Sequence, residues 1–132
     1  MLERTLGPDH IRTLASLTAL GELFVAQGRY EAAEAVYRRA QAAMERINAP
    51  DRDRAGVLGS LAQICNLRAR FTEAAQLYRA ALPLWKSLLP PERYAVKLRE
   101  LAAIYRAGGR THDAVEVEES ARRVVEGFTP PA

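Results

Sequence analysis

A fixed period constrains this chain more than any other feature. Leu6-Gly7-Pro8-Asp9-His10, Asn48-Ala49-Pro50-Asp51-Arg52 and Leu89-Pro90-Pro91-Glu92-Arg93 share one order: Pro, then an acid, then a basic or imidazole side chain. Pro8, Pro50 and Pro91 lie 42 and then 41 residues apart. Each motif suits the start of a helix, because Pro is tolerated in a first turn that lacks N–H acceptors and an acid complements the N-terminal dipole. A repeat of 20 to 50 residues marks a solenoid of stacked units, each too small to bury its own apolar face.

Within one period, the segment from Leu17 to Ala40 reads as two amphipathic helices. Leu17, Leu20, Leu23 and Phe24 fall at helical spacing, as do Tyr30, Ala33, Val36, Tyr37 and Ala40. Gln27-Gly28-Arg29 separates them, and Gly28 can take the left-handed conformation that closes a helix. The small residues Gly21, Ala33 and Ala40 mark close helix approach. The register recurs: Leu20-Gly21 and Phe24 correspond to Leu61-Ala62 and Cys65, then to Leu101-Ala102 and Tyr105. In the second helices, Ala33, Tyr37 and Ala40 correspond to Ala74, Tyr78 and Ala81, then to Ala114, Glu118 and Ala121.

This pattern resembles the tetratricopeptide repeat (TPR), whose signature is Leu-Gly and an aromatic, then Ala, aromatic and Ala. The longer period, with L-G-P-D-H before the first helix and Q-G-R-Y-E-A-A-E-A-V-Y-R-R-A after it, resembles the kinesin-light-chain type. The resemblance implies an all-α fold of three antiparallel hairpins stacked as a right-handed solenoid. The expected helices are Pro8–Ala26, Tyr30–Ile47, Asp51–Leu67, Phe71–Leu88, Glu92–Ala107 and Thr111–Glu126. Residues 1–132 then form one domain with units at about 8–47, 50–88 and 91–126. Residues 1–7 read either as the tail of a preceding repeat or as a short frayed leader, and residues 127–132 as a frayed tail. As the last part of a cut array, the chain would expose Leu2, Leu6, Leu14 and Leu17 at its N-terminal face.

Several departures from the pattern carry expectations. Cys65 replaces an aromatic, so its contact is smaller. Ala69 stands where other units have Gly28 and Gly109, which strains the turn. Pro83 removes a backbone hydrogen bond and bends the end of its helix. Glu118 and Arg122 give the last helix the charged outer face of a terminal repeat.

Composition removes several function classes. The 132 residues are 48% hydrophobic, enough for one core, and no run of 18 apolar residues offers a membrane span. No signal peptide is visible at the N-terminus. The single cysteine excludes an internal disulfide and fits a reducing, cytoplasmic compartment. Arginine in place of lysine, with abundant alanine, points to a GC-rich bacterial source. A net charge of +3, spread along the chain, is a thin footprint for nucleic acid.

No catalytic constellation emerges, and no cofactor or metal is expected. His10 and His112 belong to helix starts without a second histidine at metal spacing. Cys65 sits at a core position. Gly56 and Gly59 lie inside a helical pattern with no lysine following, so they form no phosphate loop.

What remains is a surface. The resemblance implies that the first helix of each hairpin lines a concave groove that takes a protein or peptide. The groove-facing set is then Thr18, Glu22 and Val25, with Ser60, Gln63 and Asn66, and with Arg99, Ala103 and Arg106. The family's carboxylate clamp is absent. Ala19, Ser60 and Glu100 stand at its Asn and Arg positions, and Ala15, Gly56 and Val96 at its Lys positions. Asn before the Leu-Ala pair, common in the kinesin-light-chain class, is also missing, so that class's cargo peptides are not implied. Arg99 and Arg106, two turns apart, favour an acidic segment in the ligand unless they pair with Glu100 or Glu22. The alternative is a homo-oligomerisation module, such as a homodimer joined through exposed end faces. An RNA-binding solenoid is a weaker reading that rests on a pI near 9.3.

Overall fold

Six helices make up the described residues: α1 (Ile11–Ala26), α2 (Tyr30–Ile47), α3 (Asp51–Leu67), α4 (Phe71–Leu88), α5 (Pro91–Ala107) and α6 (Thr111–Phe128). This computed structural model describes residues 11–128, with side chains from 13 to 127. The motif at Pro8 and His10, Leu2 and Leu6 lie outside that range. Each helix packs chiefly on its hairpin partner, α1 on α2, α3 on α4 and α5 on α6, then on the adjoining hairpin through α2–α3 and α4–α5. All described secondary structure is helical, and no helix is long and apolar enough to cross a membrane.

Local chemistry sets the boundaries. Pro50 and Pro90 precede α3 and α5 in extended conformation, and Asp51, Asp53 and Glu92 occupy the first turns, where carboxylates meet the dipole. The three hairpin turns share one geometry. Arg29 N–H donates to the Phe24 carbonyl, Arg70 to Cys65 and Arg110 to Tyr105, each at 2.8 Å. Such a turn needs one left-handed residue, and Gly28 (φ 74°) and Gly109 (φ 80°) supply it in the outer units. Ala69 adopts the same conformation at φ 62° despite its Cβ, so the expected strain is present. Pro83 lies within α4, which continues to Leu88.

Close approach fixes the packing within hairpins. Ala33, Ala40, Ala74 and Ala81 are completely buried. A Cβ on Gly21 would fall 2.6 Å from the Tyr37 ring, and one on Gly59 would fall 2.8 Å from the Trp85 ring. In the second unit Tyr78 and Trp85, both on α4, pack ring against ring at 4.8 Å.

One expectation is corrected. Leu14 and Leu17 do not lie on an open face but in the core, at 2% and 8% exposure. Their register partners, Ala55 and Leu58 in α3 and Ala95 and Leu98 in α5, are buried too, because this face of a first helix packs inside its own hairpin. The open positions are Leu20 and Leu23, at 38% and 53%. Leu61 and Ile64 of α3, and Leu101 and Ile104 of α5, fill the same register positions and are buried.

Two substitutions test this account by chemical denaturation. Ala69→Gly relieves the left-handed strain and is expected to stabilise the chain by up to about 1 kcal/mol. Ala81→Leu overpacks a closed contact and should cost about 1–3 kcal/mol.

Candidate functional site

The face built from α1, α3 and α5 carries two hollows that meet at Ser60 and Gln63. The first, about 240 Å³, lies between α1 and α3. Val25, Ile64 and Leu67 give it an apolar wall, with Tyr37 behind and Glu22 at the rim. The second, about 270 Å³, lies between α3 and α5. Gly56 and Gly59 form its floor beside Trp85, with Tyr78, Lys97 and Glu100 across from them. Gly59 matters because a Cβ there would fall 2.8 Å from the Trp85 ring, which packs where that side chain would be.

Electrostatics differ between the hollows. Tyr78 donates its hydroxyl to Glu100 Oε1, and Lys97 Nζ lies 3.6 Å from that oxygen. Burial, and then the Glu100 carboxylate, hold the Tyr78 phenol well above its ordinary range, so it remains a donor. Lys97 also sits over the Trp85 ring, 4.6 Å from its centroid. In the first hollow burial raises the Tyr37 phenol, Ser60 works against that shift, and the Glu22 charge adds to it.

The groove residues expected from the sequence divide. Glu22, Val25, Ser60 and Gln63 line the hollows. Thr18 does not, because its hydroxyl turns back to the Ala15 carbonyl at 2.9 Å. Asn66 is half-buried, and its Oδ1 is shut from solvent without a donor. Ala103 and Arg99 are exposed beyond the hollows.

Arg106 pairs with neither Glu100 nor Glu22. Its Nε and Nη2 donate to the two carboxylate oxygens of Glu118, at 3.1 and 2.6 Å. That bond lowers the Glu118 pKa and raises that of Arg106. Glu118 is therefore not simply part of an outer charged face. It fills the register position of Tyr37 and Tyr78, and it holds an arginine where they present phenols. Ile64, Leu67, Trp85 and Lys97 were missed as lining residues. An apolar residue at the exposed end of a first helix was the signal for Leu67, and the gap beside Gly59 was the signal for Trp85.

A second polar cluster joins the first two units. Arg29 stacks on Phe24 at 4.6 Å, and Arg110 on Tyr105 at 4.7 Å. Arg70 holds the equivalent place, but Cys65 offers no ring, and its guanidinium goes to carboxylates instead. Arg70 Nη2 donates to Glu34, and Nη1 to Glu73 at 3.3 Å. Glu34, 7% exposed, also accepts from Arg38 at 3.2 Å and from Arg68 at 2.8 Å. Arg38 reaches Glu73 and, at 3.9 Å, the Cys65 sulfur. Ligand atoms of Glu34, Cys65 and Glu73 lie within 4.8 Å of one another, a grouping with metal-ligand chemistry. The carboxylates are already neutralised by arginines, and burial holds the thiol protonated, so the donor set is that of an ion-pair network.

Comparison with known proteins adds the following. A family profile described as tetratricopeptide repeat matches residues 1–46 and 53–126. Among solved structures, BtubC (BKLC) from P. vanneervenii superposes with a TM-score of 0.81 at 18% identity, over 99% of this chain and 55% of that one. A Podosopora anserina protein, described as a kinesin light chain with nearly identical TPR-like repeats, gives 0.85 at 22%, over 98% and 63%. The TPR domain of Arabidopsis FLU gives 0.73 at 16%, over 88% and 97%. At these identities the likeness is one of fold, and the chain spans 55% and 63% of the first two proteins. No curated protein matches the chain.

Truncating Glu34 to alanine should cost on the order of 2 kcal/mol in denaturant unfolding, because three arginines lose a buried charged acceptor. Arg68→Ala, with its half-exposed guanidinium, should cost less than about 1 kcal/mol.

Proposed function

The chain belongs to the tetratricopeptide repeat family, and from that premise we propose that it is a non-catalytic scaffold binding a protein or peptide along α1, α3 and α5. The observation that carries this reading is the continuity of the two hollows through Ser60 and Gln63. Each is smaller than the roughly 300–1,000 Å³ of a small-molecule site, so each suits one ligand side chain. Ser60 and Gln63 offer donors and acceptors to the backbone between those side chains.

The ligand places an apolar side chain against Val25, Ile64 and Leu67. Its next side chain covers Trp85 beside Lys97 and Glu100. An acidic segment then lies over Arg99, while Arg106 stays engaged by Glu118. The buried lone thiol supports a reducing compartment such as a bacterial cytoplasm.

A second reading, homotypic association through the end of the array, draws on exposed Leu20 and Leu23. Sedimentation of the chain and of Leu20→Glu with Leu23→Glu across concentrations tests it. A concentration-dependent dimer should appear in the parent and be lost in the double variant.

The principal test is selection of peptides from a random display library on the full chain, followed by fluorescence anisotropy. Enriched peptides should carry an apolar anchor near an acidic run. Leu67→Asp should weaken them by about 100-fold and Arg99→Glu by about ten-fold, the losses expected of a desolvated anchor and a rim charge. Unchanged affinity in both folded variants would remove the site from this face.

A further inference from the structure

The opposite side of the third unit carries a groove that this proposed function does not use. It runs between the second helices α4 and α6, above α5, and encloses about 480 Å³. Leu82, Tyr94, Leu98, Val117 and Val124 make its floor and walls. Leu98 and Val117 are core residues seen edge-on, while Leu82, Tyr94 and Val124 are half-buried.

The rim is cationic. Arg79 and Lys86 stand on α4 and Arg123 on α6, and no carboxylate lines the groove among the described residues. Arg79 and Lys86 are seven residues apart, which sets them two turns, or about 10.5 Å, apart on one face. Arg79 gives one hydrogen bond to the Tyr105 hydroxyl at 3.0 Å. Lys86 and Arg123 form no ion pair among the described residues, although the Arg123 charge contributes to lowering the nearby Glu119. This polarity is particular to the third unit. The matching groove one unit earlier, between α2 and α4 above α3, holds Glu45 and Glu73 beside Arg54.

We propose that the α4–α6 groove is a second docking surface, and that its occupant is an acidic amphipathic helix of a partner protein. Charge complementarity selects the occupant: an apolar stripe fits the floor, and carboxylates spaced two turns apart meet Arg79 and Lys86, with a third across at Arg123. With residues of three helices lining it, an apolar floor and cations on both α4 and α6, the groove offers a helix one apolar stripe flanked by charge on each side. The site lies on different helix faces from the α1–α3–α5 hollows, so the two surfaces can be occupied together.

The test uses the full chain and a fluorescein-labelled helical peptide of about 14 residues, with leucines at i, i+3 and i+4 spacing and flanking glutamates seven apart. Anisotropy titration should show saturable binding that weakens at least about ten-fold between low and physiological salt. Lys86→Glu with Arg123→Glu changes two exposed side chains and should weaken binding about 100-fold, a loss that Arg99→Glu on the opposite face should not reproduce. Methyl resonances of Leu98 and Val124 should shift on titration. Three results would each overturn the proposal: no binding at millimolar protein, equal binding of a scrambled peptide of the same composition, or equal affinity in the double-reversal variant. Binding of anionic phosphatidylserine vesicles in preference to the peptide, lost in the same variant, would also overturn it in favour of a membrane surface. Loss of the α1–α3–α5 function through Leu67→Asp leaves this titration unchanged, so the two readings fail separately.

Discussion

The helix spacing in this chain is set by side chains that scarcely exist. Ala33, Ala40, Ala74, Ala81 and Ala114 have no exposed surface, and Ala121 has 1%. They let the second helix of each hairpin reach the first at backbone distance, where dispersion contacts are dense and one added methylene has nowhere to go. Everything on the two faces follows from that spacing. Tyr37 meets the backbone of Gly21, Trp85 meets Gly59, and each ring borders one of the α1–α3–α5 hollows because nothing larger intervenes.

The parts legible in the sequence are those with local causes. Helices α1 to α5 each end where a turn residue or proline demands it, and α2, α3 and α4 run over the expected residues. Ala69 was identifiable as a strained turn because its neighbours in register are glycines. The α1–α3–α5 face was also identifiable in part, since the resemblance to the tetratricopeptide repeat implies a face built from first helices and the register then selects Glu22, Val25, Ser60 and Gln63 on it. What register could not supply is the choice of partner among long side chains. Arg106 finds Glu118 12 residues away, while Arg68 and Arg70 find Glu34 34 and 36 residues back. A guanidinium on a flexible stem can satisfy several geometries, and only tertiary proximity selects one. Leu14 and Leu17 were misplaced for a related reason. An apolar residue near a chain end serves its own hairpin before it serves a missing neighbour.

The two faces of the array have separate chemistries on shared walls. Tyr78 and Trp85 look toward α3 and α5 on one side, while Arg79, Leu82 and Lys86 of the same helix α4 look toward α6 on the other. Helix α4 is thus common to both surfaces. The Tyr78–Trp85 pair and the closed contact at Ala81 pack its inner side.

The replacement of an aromatic by Cys65 has a consequence for how the array comes apart. In a solenoid, stability divides into what each unit contributes and what each junction contributes. At Arg29 and Arg110 the stacking partner belongs to the arginine's own hairpin, so those contacts strengthen single units. At Arg70 the partner is Glu34 of the preceding hairpin, shared with Arg38 and Arg68. Loss of the ring has moved that interaction from the interior of a unit to the joint between two. The joint to the third hairpin is bridged differently, by Tyr78–Glu100, by Arg79–Tyr105 and by Lys97 over the Trp85 ring. Both the second hollow and the α4–α6 groove straddle that seam.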